Sequence, residues 1–157
     1  MPPGNAQVNC PHVRLLVDGY NILHAWPELK RLLPVSLEYA RDSLVERLSV
    51  YQQINDVEVF AVFDARRVLG GRNSADSKDG VTVIFSRGSD SADHVIERLA
   101  YQALNAGEMV EVATSDRTQR DLVRGMGGAV IDAIELQRRV VEAEAQMERN
   151  VKRYQQR

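Results

Sequence analysis

Short apolar runs that end in polar residues alternate along this chain with segments of helical periodicity. Such a run, without polar alternation inside it, is typical of a strand buried on both faces of a sheet. Two of the runs end directly in an acid, Asp18 and Asp64. Strands that alternate with helices predict an α/β fold, with helices on both faces of a mostly parallel sheet of about five strands. The predicted strands occupy residues 13–17, 57–63, 81–85, 109–113 and 129–131.

Helix starts are marked by side chains that can cap free backbone N–H groups. Ser36, Ser91 and Asp132 each precede a segment with apolar residues at three- to four-residue intervals, and short polar side chains are favoured at such N-caps. The segment 66–80 holds three glycines and four basic residues, so it is predicted to be a long loop. This loop has to cross back if the third strand is to run parallel to the second.

Length and composition point to one ordinary folded domain. The chain has 157 residues, of which 44% are hydrophobic and 27% charged, and these values are typical of soluble domains with a normal core. No segment approaches the ~18 apolar residues of a membrane helix, so no membrane association is expected. The domain is predicted to span 13–145, between a loose lead-in (1–12) and a segment (146–157) that either extends the last helix or frays.

Charge and cysteine content narrow the class of protein further. The first residues lack a charged region followed by an apolar block, so they do not resemble a secretory signal. The single cysteine, Cys10, cannot form an internal disulfide, and a reducing, cytoplasmic setting is expected. The net charge of −2 argues against coating nucleic acid by bulk electrostatics but leaves room for a local basic patch.

Five acidic residues are predicted to meet at one edge of the sheet. Asp18, Asp64 and Asp116 follow strands directly or within a short turn, and parallel strands bring their carboxyl ends to the edge where α/β folds bind ligands. Asp93 and Glu97 are four residues apart on the helix after the third strand, hence on one helical face. Clustered carboxylates repel one another unless protons or a cation compensate them. Oxygen ligands suit Mg²⁺ or Mn²⁺, which can activate water for attack on phosphorus.

Other side chains near this edge are candidates for substrate contact. Asn21 and Ser115 are neutral groups suited to orienting a carboxylate or phosphate oxygen. Tyr20 is expected either to stack on a base or to pack in the core, and His24 and Trp26 are expected to pack within the following loop. Five basic residues form either a phosphate-holding rim or part of a solvated loop. They are Arg66, Arg67, Arg72, Lys78 and Arg87.

Most of the acids also have a purely structural interpretation. Asp116 with Gln119 fits an N-cap pair, Asp93 in a first helical turn is favoured by the helix dipole, and Asp64 fits a turn. Asp18 is harder to explain in this way, because the Gly-Tyr-Asn that follows it is not needed to end a strand. The joint placement of the acids favours a functional acidic pocket.

Five short motifs occur along the chain in a fixed order. They are Leu16-Val17-Asp18-Gly19-Tyr20-Asn21, Val62-Phe63-Asp64-Ala65, Ser91-Ala92-Asp93, Glu97 and Ala113-Thr114-Ser115-Asp116. In this order they resemble the YacP-type branch of the NYN-domain proteins, a subdivision of the PIN-like nucleases. The resemblance covers about 15–140 and implies a PIN-like three-layer α/β/α sandwich that cleaves RNA with a metal ion. The characterised branch is similar to a ribosome-associated endoribonuclease that cuts mRNA in the decoding site.

The resemblance also implies roles for the residues at matching positions. It carries the acidic site over onto Asp18, Asp64, Asp93, Glu97 and Asp116. Our leading hypothesis is that Asp18, Asp93 and Asp116 would hold the metal, Mg²⁺ or Mn²⁺, with Asp64 and Glu97 completing or orienting the site. Asn21 would lie beside these acids. RNA, and mRNA on the ribosome in particular, is the expected partner.

One motif departs from the family pattern. The family commonly has Thr-Ala-Asp-Glu where this chain has Ser91-Ala92-Asp93-His94. Ser91 can still cap the helix, but His94 cannot make the return bond that a glutamate makes in a capping box. The position is therefore interpreted as one for helix initiation; if the glutamate of relatives binds metal instead, His94 weakens the site.

Three functions are compatible with these observations, and a metal-dependent endoribonuclease is the favoured one. The chain is either a metal-dependent endoribonuclease or a non-catalytic RNA- or ribosome-binding module with the same fold. A phospho-acceptor domain of the receiver type also has acids at strand ends. It is disfavoured because no lysine follows the fifth strand, where Asp132 and Ala133 stand instead.

Overall fold

A computed structural model of the chain describes residues 13–65 and 74–156. In this part of the chain a six-stranded sheet lies between two layers of helices. The strands are β1 Val13–Asp18, β2 Glu58–Asp64, β3 Ser74–Lys78, β4 Val81–Ser86, β5 Met109–Ala113 and β6 Ala129–Ile131. The helices are α1 Gly19–Ala25, α2 Pro27–Lys30, α3 Leu37–Asn55, α4 Ala92–Asn105, α5 Arg117–Gly125 and α6 Ala133–Gln155.

The strand order places the carboxyl ends of five strands at one edge of the sheet. The order is β3-β4-β2-β1-β5-β6, and every neighbouring pair is parallel except β3–β4. From β1 the chain builds outward through β2 to the β3–β4 hairpin, then returns to add β5 and β6 on the other side of β1. The boundary between β1 and β5 is therefore the switch point at which α/β sheets bind ligands.

The sheet confirms the predicted fold class but has one strand more than predicted. Residues 74–78, which were predicted to be loop, form β3 antiparallel to β4. The hairpin turns at Asp79 and Gly80, with φ of 52° and 83°. A two-residue turn with both φ values positive is the type I′ turn that Asp-Gly favours. The Asp79-Gly80 pair was therefore the sequence feature that indicated a hairpin, and the prediction of a loop did not use it. The predicted parallel pairing of β4 with β2 is correct.

Two apolar cores lie on opposite faces of the sheet, as expected for strands buried on both sides. Leu15 and Val17 belong to the core under α1, α2, α3 and α6, while Leu16 between them belongs to the core under α4 and α5. The alternation within a single strand confirms the three-layer arrangement. No helix within 13–65 and 74–156 is long and apolar enough to cross a membrane.

The three predicted helix caps are present in the structure. Ser36 accepts a hydrogen bond from the backbone N–H of Tyr39 at 3.1 Å, and Asp132 accepts one from Glu135 at 2.8 Å. Ser91 caps α4 in the same way. The last helix, α6, continues to Gln155 with its final residues exposed, so the described part of the C-terminal segment extends the helix.

The predicted connector after β1 contains two short helices that Trp26 attaches to the core. Trp26 lies between α1 and α2 and is fully buried. Its Nε1 donates a hydrogen bond to the backbone oxygen of Ala133 at 2.7 Å, which ties this connector to the start of α6. The expectation that Trp26 packs is confirmed, and the packing fixes the position of α1 behind Asp18.

Candidate acidic site

Four of the five predicted acids border one open cleft at the carboxyl edge of the sheet. Asp18 and Asp64 end β1 and β2, Asp116 precedes α5, and Asp93 lies in the first turn of α4. The cleft has a volume of about 410 Å³. Its other lining residues are Tyr20, Asn21, His24, Ser91 and Ala92.

The electrostatics of the cleft centre on Asp18. The pKa of its carboxyl group is raised from 3.8 to about 6, mainly by burial and then by the negative charges of Asp93, Asp116 and Asp64 in that order of size. The nearby backbone N–H of Asn21 partly opposes the shift. A strongly shifted group in a cleft is a candidate functional residue. The shift also shows that the charges of the other three acids act on Asp18.

Asn21 connects the two strand ends that flank the switch point. Its Oδ1 accepts a hydrogen bond from the backbone N–H of Ser115 at 3.1 Å. This bond ties α1 to the turn between β5 and α5. Asn21 lines the cleft, and the contact shown for Ser115 uses its backbone; their predicted role in orienting a carboxylate or phosphate oxygen stays a prediction.

Gln119 joins two of the acids and was not predicted to do so. It is only 2% exposed, and its backbone N–H donates to Asp116 Oδ1 at 2.9 Å. Its side-chain Nε2 donates to Asp93 Oδ1 at 3.2 Å. The N-cap interpretation of Asp116 is therefore correct, and the same residue also borders the cleft. No spacing rule reveals the second bond, because Asp93 and Gln119 lie on different helices.

The remaining predicted site residues lie elsewhere or outside the described residues. Glu97 is half-buried one turn further along α4 and does not line the cleft. Lys78 pairs with Asp42 at 3.2 Å in a separate groove, and Arg87 follows β4 without lining the cleft. His24, expected to pack in a loop, is instead exposed at the cleft. Three basic residues are not described: Arg66, Arg67 and Arg72.

The side chains of the cleft suit a hard cation in their chemistry. All four acids offer carboxylate oxygens, the ligand type that Mg²⁺ and Mn²⁺ prefer. Burial and the neighbouring negative charges both disfavour the ionised form of Asp18, and a cation there would offset both effects. In this conformation, however, no three His, Cys, Asp or Glu residues within 13–65 and 74–156 form a group that could hold a metal ion.

Comparison with known proteins identifies the family. The sequence model of the protein family described as "YacP-like NYN domain" matches residues 15–157. This chain belongs to the YacP-like NYN domain family. The resemblance of its motifs is thereby confirmed, and the family is nuclease-like.

Relatives of this YacP-like chain include a protein of Bacillus subtilis (strain 168) named "Uncharacterized protein YacP". The two are 40% identical over 139 residues, which cover 88% of this chain and 81% of that protein. The crystal structure of a mutant of Rae1 (YacP) from Bacillus subtilis matches with a TM-score of 0.78 at 38% identity, covering 91% of this chain and 84% of that one. A second Rae1 (YacP) structure matches with a TM-score of 0.76 at 41% identity, covering 89% and 80%.

Gly19, the first residue of α1, is required by close packing under the cleft. A Cβ atom at this position would overlap the ring of Phe63, which is fully buried. We expect Gly19→Ala to lower the free energy of unfolding by about 1–3 kcal/mol, because overpacking forces the helix or the ring to move. Urea denaturation measures the change.

Gly125 provides the matched control for this substitution. It ends α5, and a Cβ there would meet no atom within 4 Å. We expect Gly125→Ala to change stability little or to raise it slightly, because alanine is the better helix former. Equal effects of the two substitutions would contradict the packing role of Gly19.

The family departure at His94 lies at the start of α4 and outside the cleft lining. The backbone N–H of His94 donates to Ser91 Oγ at 3.1 Å, so half of a capping box is present. We expect His94→Glu and His94→Gln each to raise the free energy of unfolding by about 0.5 kcal/mol, by supplying the return bond. Chemical denaturation of both variants tests this, and a loss of stability in both would contradict it.

Proposed function

We propose that this chain is a metal-dependent endoribonuclease that hydrolyses RNA phosphodiester bonds, with Mg²⁺ or Mn²⁺ as its ion. One observation carries the proposal: Asp18, Asp64, Asp93 and Asp116 border one cleft, in which the pKa of Asp18 is raised to about 6. Membership of a nuclease-like family supports the same conclusion.

In this proposal Asp18, Asp93 and Asp116 would hold the cation once their carboxylates converge on it, because no three such groups within the described residues do so in this conformation. When bound, the ion supplies an activated water and offsets the charge of the leaving oxygen. The role of Gln119 is to orient two of the ligands through its hydrogen bonds to Asp93 and Asp116. Asn21 keeps the ends of β1 and β5 in register through Ser115.

The secondary assignments of site residues follow the same reasoning. Asp64 lies at the cleft and is proposed to orient the site from the end of β2. Glu97 lies one turn further along α4 on the same helical face as Asp93 and is proposed to help orient the site from outside the cleft lining. Tyr20 and Arg87 are proposed substrate contacts, and so are the basic residues of the segment 66–73.

We further propose that the substrate is mRNA on the ribosome, in the cytoplasm. The motifs that resemble the ribosome-associated endoribonuclease branch support this choice of substrate. The modest net charge of −2 fits a nuclease that is guided to RNA by a larger partner, since such a chain gains little from bulk attraction to phosphate.

Metal removal is the decisive test of the proposed reaction. Purified protein is incubated with single-stranded RNA and with ribosome-bound mRNA, in Mg²⁺, in Mn²⁺ and in EDTA. We expect EDTA to slow cleavage by about two orders of magnitude or more, and added metal to restore it, because the ion supplies both the nucleophile and charge stabilisation. Equal cleavage in EDTA would contradict a metal mechanism.

A non-catalytic RNA- or ribosome-binding module is the second candidate function. It is favoured by two observations: no three-ligand metal group exists within the described residues, and Glu97 lies away from the cleft. Ribosome association without cleavage under any divalent ion would support this module over the enzyme.

A further inference from the structure

A second groove lies next to the acidic cleft, between α3 and the β3–β4 hairpin. Its volume is about 250 Å³, and we call it the α3 groove. Residues of both α3 and the sheet contribute to its apolar surface. The apolar lining residues are Val45, Phe63, Val83 and Phe85.

A row of aromatic rings connects the acidic cleft to the α3 groove. Tyr20, which lines the cleft, meets the ring of Phe63 edge-on at a centroid distance of 5.6 Å. Phe63 in turn stacks on Phe85 at 5.7 Å. The buried Phe63 ring therefore lies between Tyr20 at the cleft and Phe85 in the groove, which places the two sites side by side.

Arg41 stands where the two sites meet. Its Nη1 donates a hydrogen bond to the Tyr20 hydroxyl at 3.3 Å, and its guanidinium carbon lies 5.2 Å from the centroid of the Phe85 ring. Within the described residues Arg41 forms no ion pair, whereas Lys78 in the same groove pairs with Asp42 at 3.2 Å. Arg41 is thus held by a hydroxyl and a ring, in the manner of arginines whose planar face receives a base.

The charges of the groove favour a base over a phosphate. Besides the paired Asp42, the carboxylates of Glu38 and Asp76 line the groove, so carboxylates outnumber the cations Arg41 and Lys78. An anionic phosphate would be repelled by them. A nucleobase would instead donate its N–H groups to carboxylates, as bases do in other complexes, and its ring would cover the apolar lining.

We propose that the α3 groove binds one nucleobase of the RNA, stacked on the Arg41 guanidinium, next to the phosphate in the acidic cleft. The inference rests on the proposed function, since it takes RNA to be the occupant of the cleft. It adds a base-binding subsite, and with it a source of preference for the nucleotide beside the cleavage point.

The test uses binding of short RNA that cannot be cut, so it does not depend on catalysis. Fluorescence anisotropy gives the Kd of a 2′-O-methyl RNA tetranucleotide in Ca²⁺, and of four versions that each lack one base. We expect one abasic version to bind about tenfold more weakly, the range of one base stacked on a protein side chain. Arg41→Ala should weaken binding of the intact RNA by a similar factor and remove the penalty for that abasic version.

Two further variants separate stacking from charge. Arg41→Lys keeps the positive charge without the planar face, so we expect it to bind as weakly as Arg41→Ala; full recovery would indicate a phosphate contact and overturn the base subsite. Arg149→Ala removes an exposed arginine near the end of α6 and should leave Kd unchanged. Thermal unfolding checks that each variant is folded.

The outcomes distinguish this subsite from the proposed function. Wild-type protein that neither binds these RNAs nor cleaves RNA in Mg²⁺ or Mn²⁺ overturns both, whereas cleavage without tetranucleotide binding overturns the base subsite alone. RNA binding that is equal in wild type and Arg41→Ala, for every abasic version, overturns the base subsite alone.

Discussion

Asp18→Asn is expected to abolish RNA cleavage while it raises the stability of the metal-free protein at neutral pH. Cleavage should fall by about two to three orders of magnitude, because the variant removes the most buried carboxylate of the proposed metal site. Most substitutions in a folded interior lower the free energy of unfolding, whereas this one is expected to raise it. The expected increase follows from the raised pKa of the Asp18 carboxyl group.

The sign of the stability effect comes from the linkage between protons and folding. The pKa of Asp18 is about 6 in the folded protein against an ordinary 3.8, so the folded state binds the proton more tightly than the unfolded state. Stability from this group is fully present below pH 3.8 and is lost as the pH rises through about 6. The loss at pH 7.5 is up to about 3 kcal/mol, and asparagine avoids it.

Urea denaturation in EDTA measures this difference at pH 4 and at pH 7.5. We expect the advantage of Asp18→Asn over wild type to be larger at pH 7.5. Asp121→Asn, which removes an exposed acid of α5 outside the cleft, is the matched control and should leave cleavage unchanged. In a separate denaturation series without EDTA, added Mn²⁺ should stabilise wild type more than Asp18→Asn. An advantage of the same size at both pH values would contradict the raised pKa.

Trp26→Ala is expected to cause the largest loss of stability. The substitution empties a fully buried site, and truncations of this kind cost about 3–5 kcal/mol. It also removes the hydrogen bond to the Ala133 oxygen and the ring under Arg47, whose guanidinium carbon lies 5.0 Å from the ring centroid. Arg47, on α3, pairs with Glu28 of α2 at 2.6 Å and with Glu144 of α6 at 2.8 Å. Loss of the Trp26 ring therefore removes support from an arginine that connects these three helices.

Trp26→Phe separates the volume of the side chain from its hydrogen bond. Phenylalanine keeps most of the apolar contact, so we expect a loss of about 1–2 kcal/mol. Chemical denaturation gives both values. Because α1 carries Asn21, the alanine variant should also weaken the Asn21–Ser115 contact and lower cleavage in proportion. A stability loss no larger for alanine than for phenylalanine would contradict the proposed anchoring.

Much of the fold could be predicted because local signals agree with it. The ends of β1 and β2 were marked by acids that interrupt continuous apolar runs, and Ser36, Ser91 and Asp132 marked helix starts. The missed strand, β3, is short, polar and almost fully exposed, so it carries no apolar pattern. Only its turn was marked, by the Asp79-Gly80 pair.

The site was predictable as far as sheet topology alone determines it. Parallel strands bring Asp18, Asp64 and Asp116 to one edge whatever their side chains contact. Glu97 shares a helical face with Asp93, but four residues carry it about 6 Å along the axis and away from the edge. The bond from Gln119 to Asp93 depends on how two helices pack, which no spacing within either helix encodes.

The cap of α5 restricts which residues position 116 can accept. One oxygen of Asp116 already holds the backbone N–H of Gln119, so the side chain maintains a helix end as well as bordering the cleft. Asparagine and serine cap helices about as well as aspartate, while alanine removes the cap. Loss of activity in an alanine variant would therefore mix a chemical defect with a frayed helix, and Asp116→Asn is the substitution that isolates the charge.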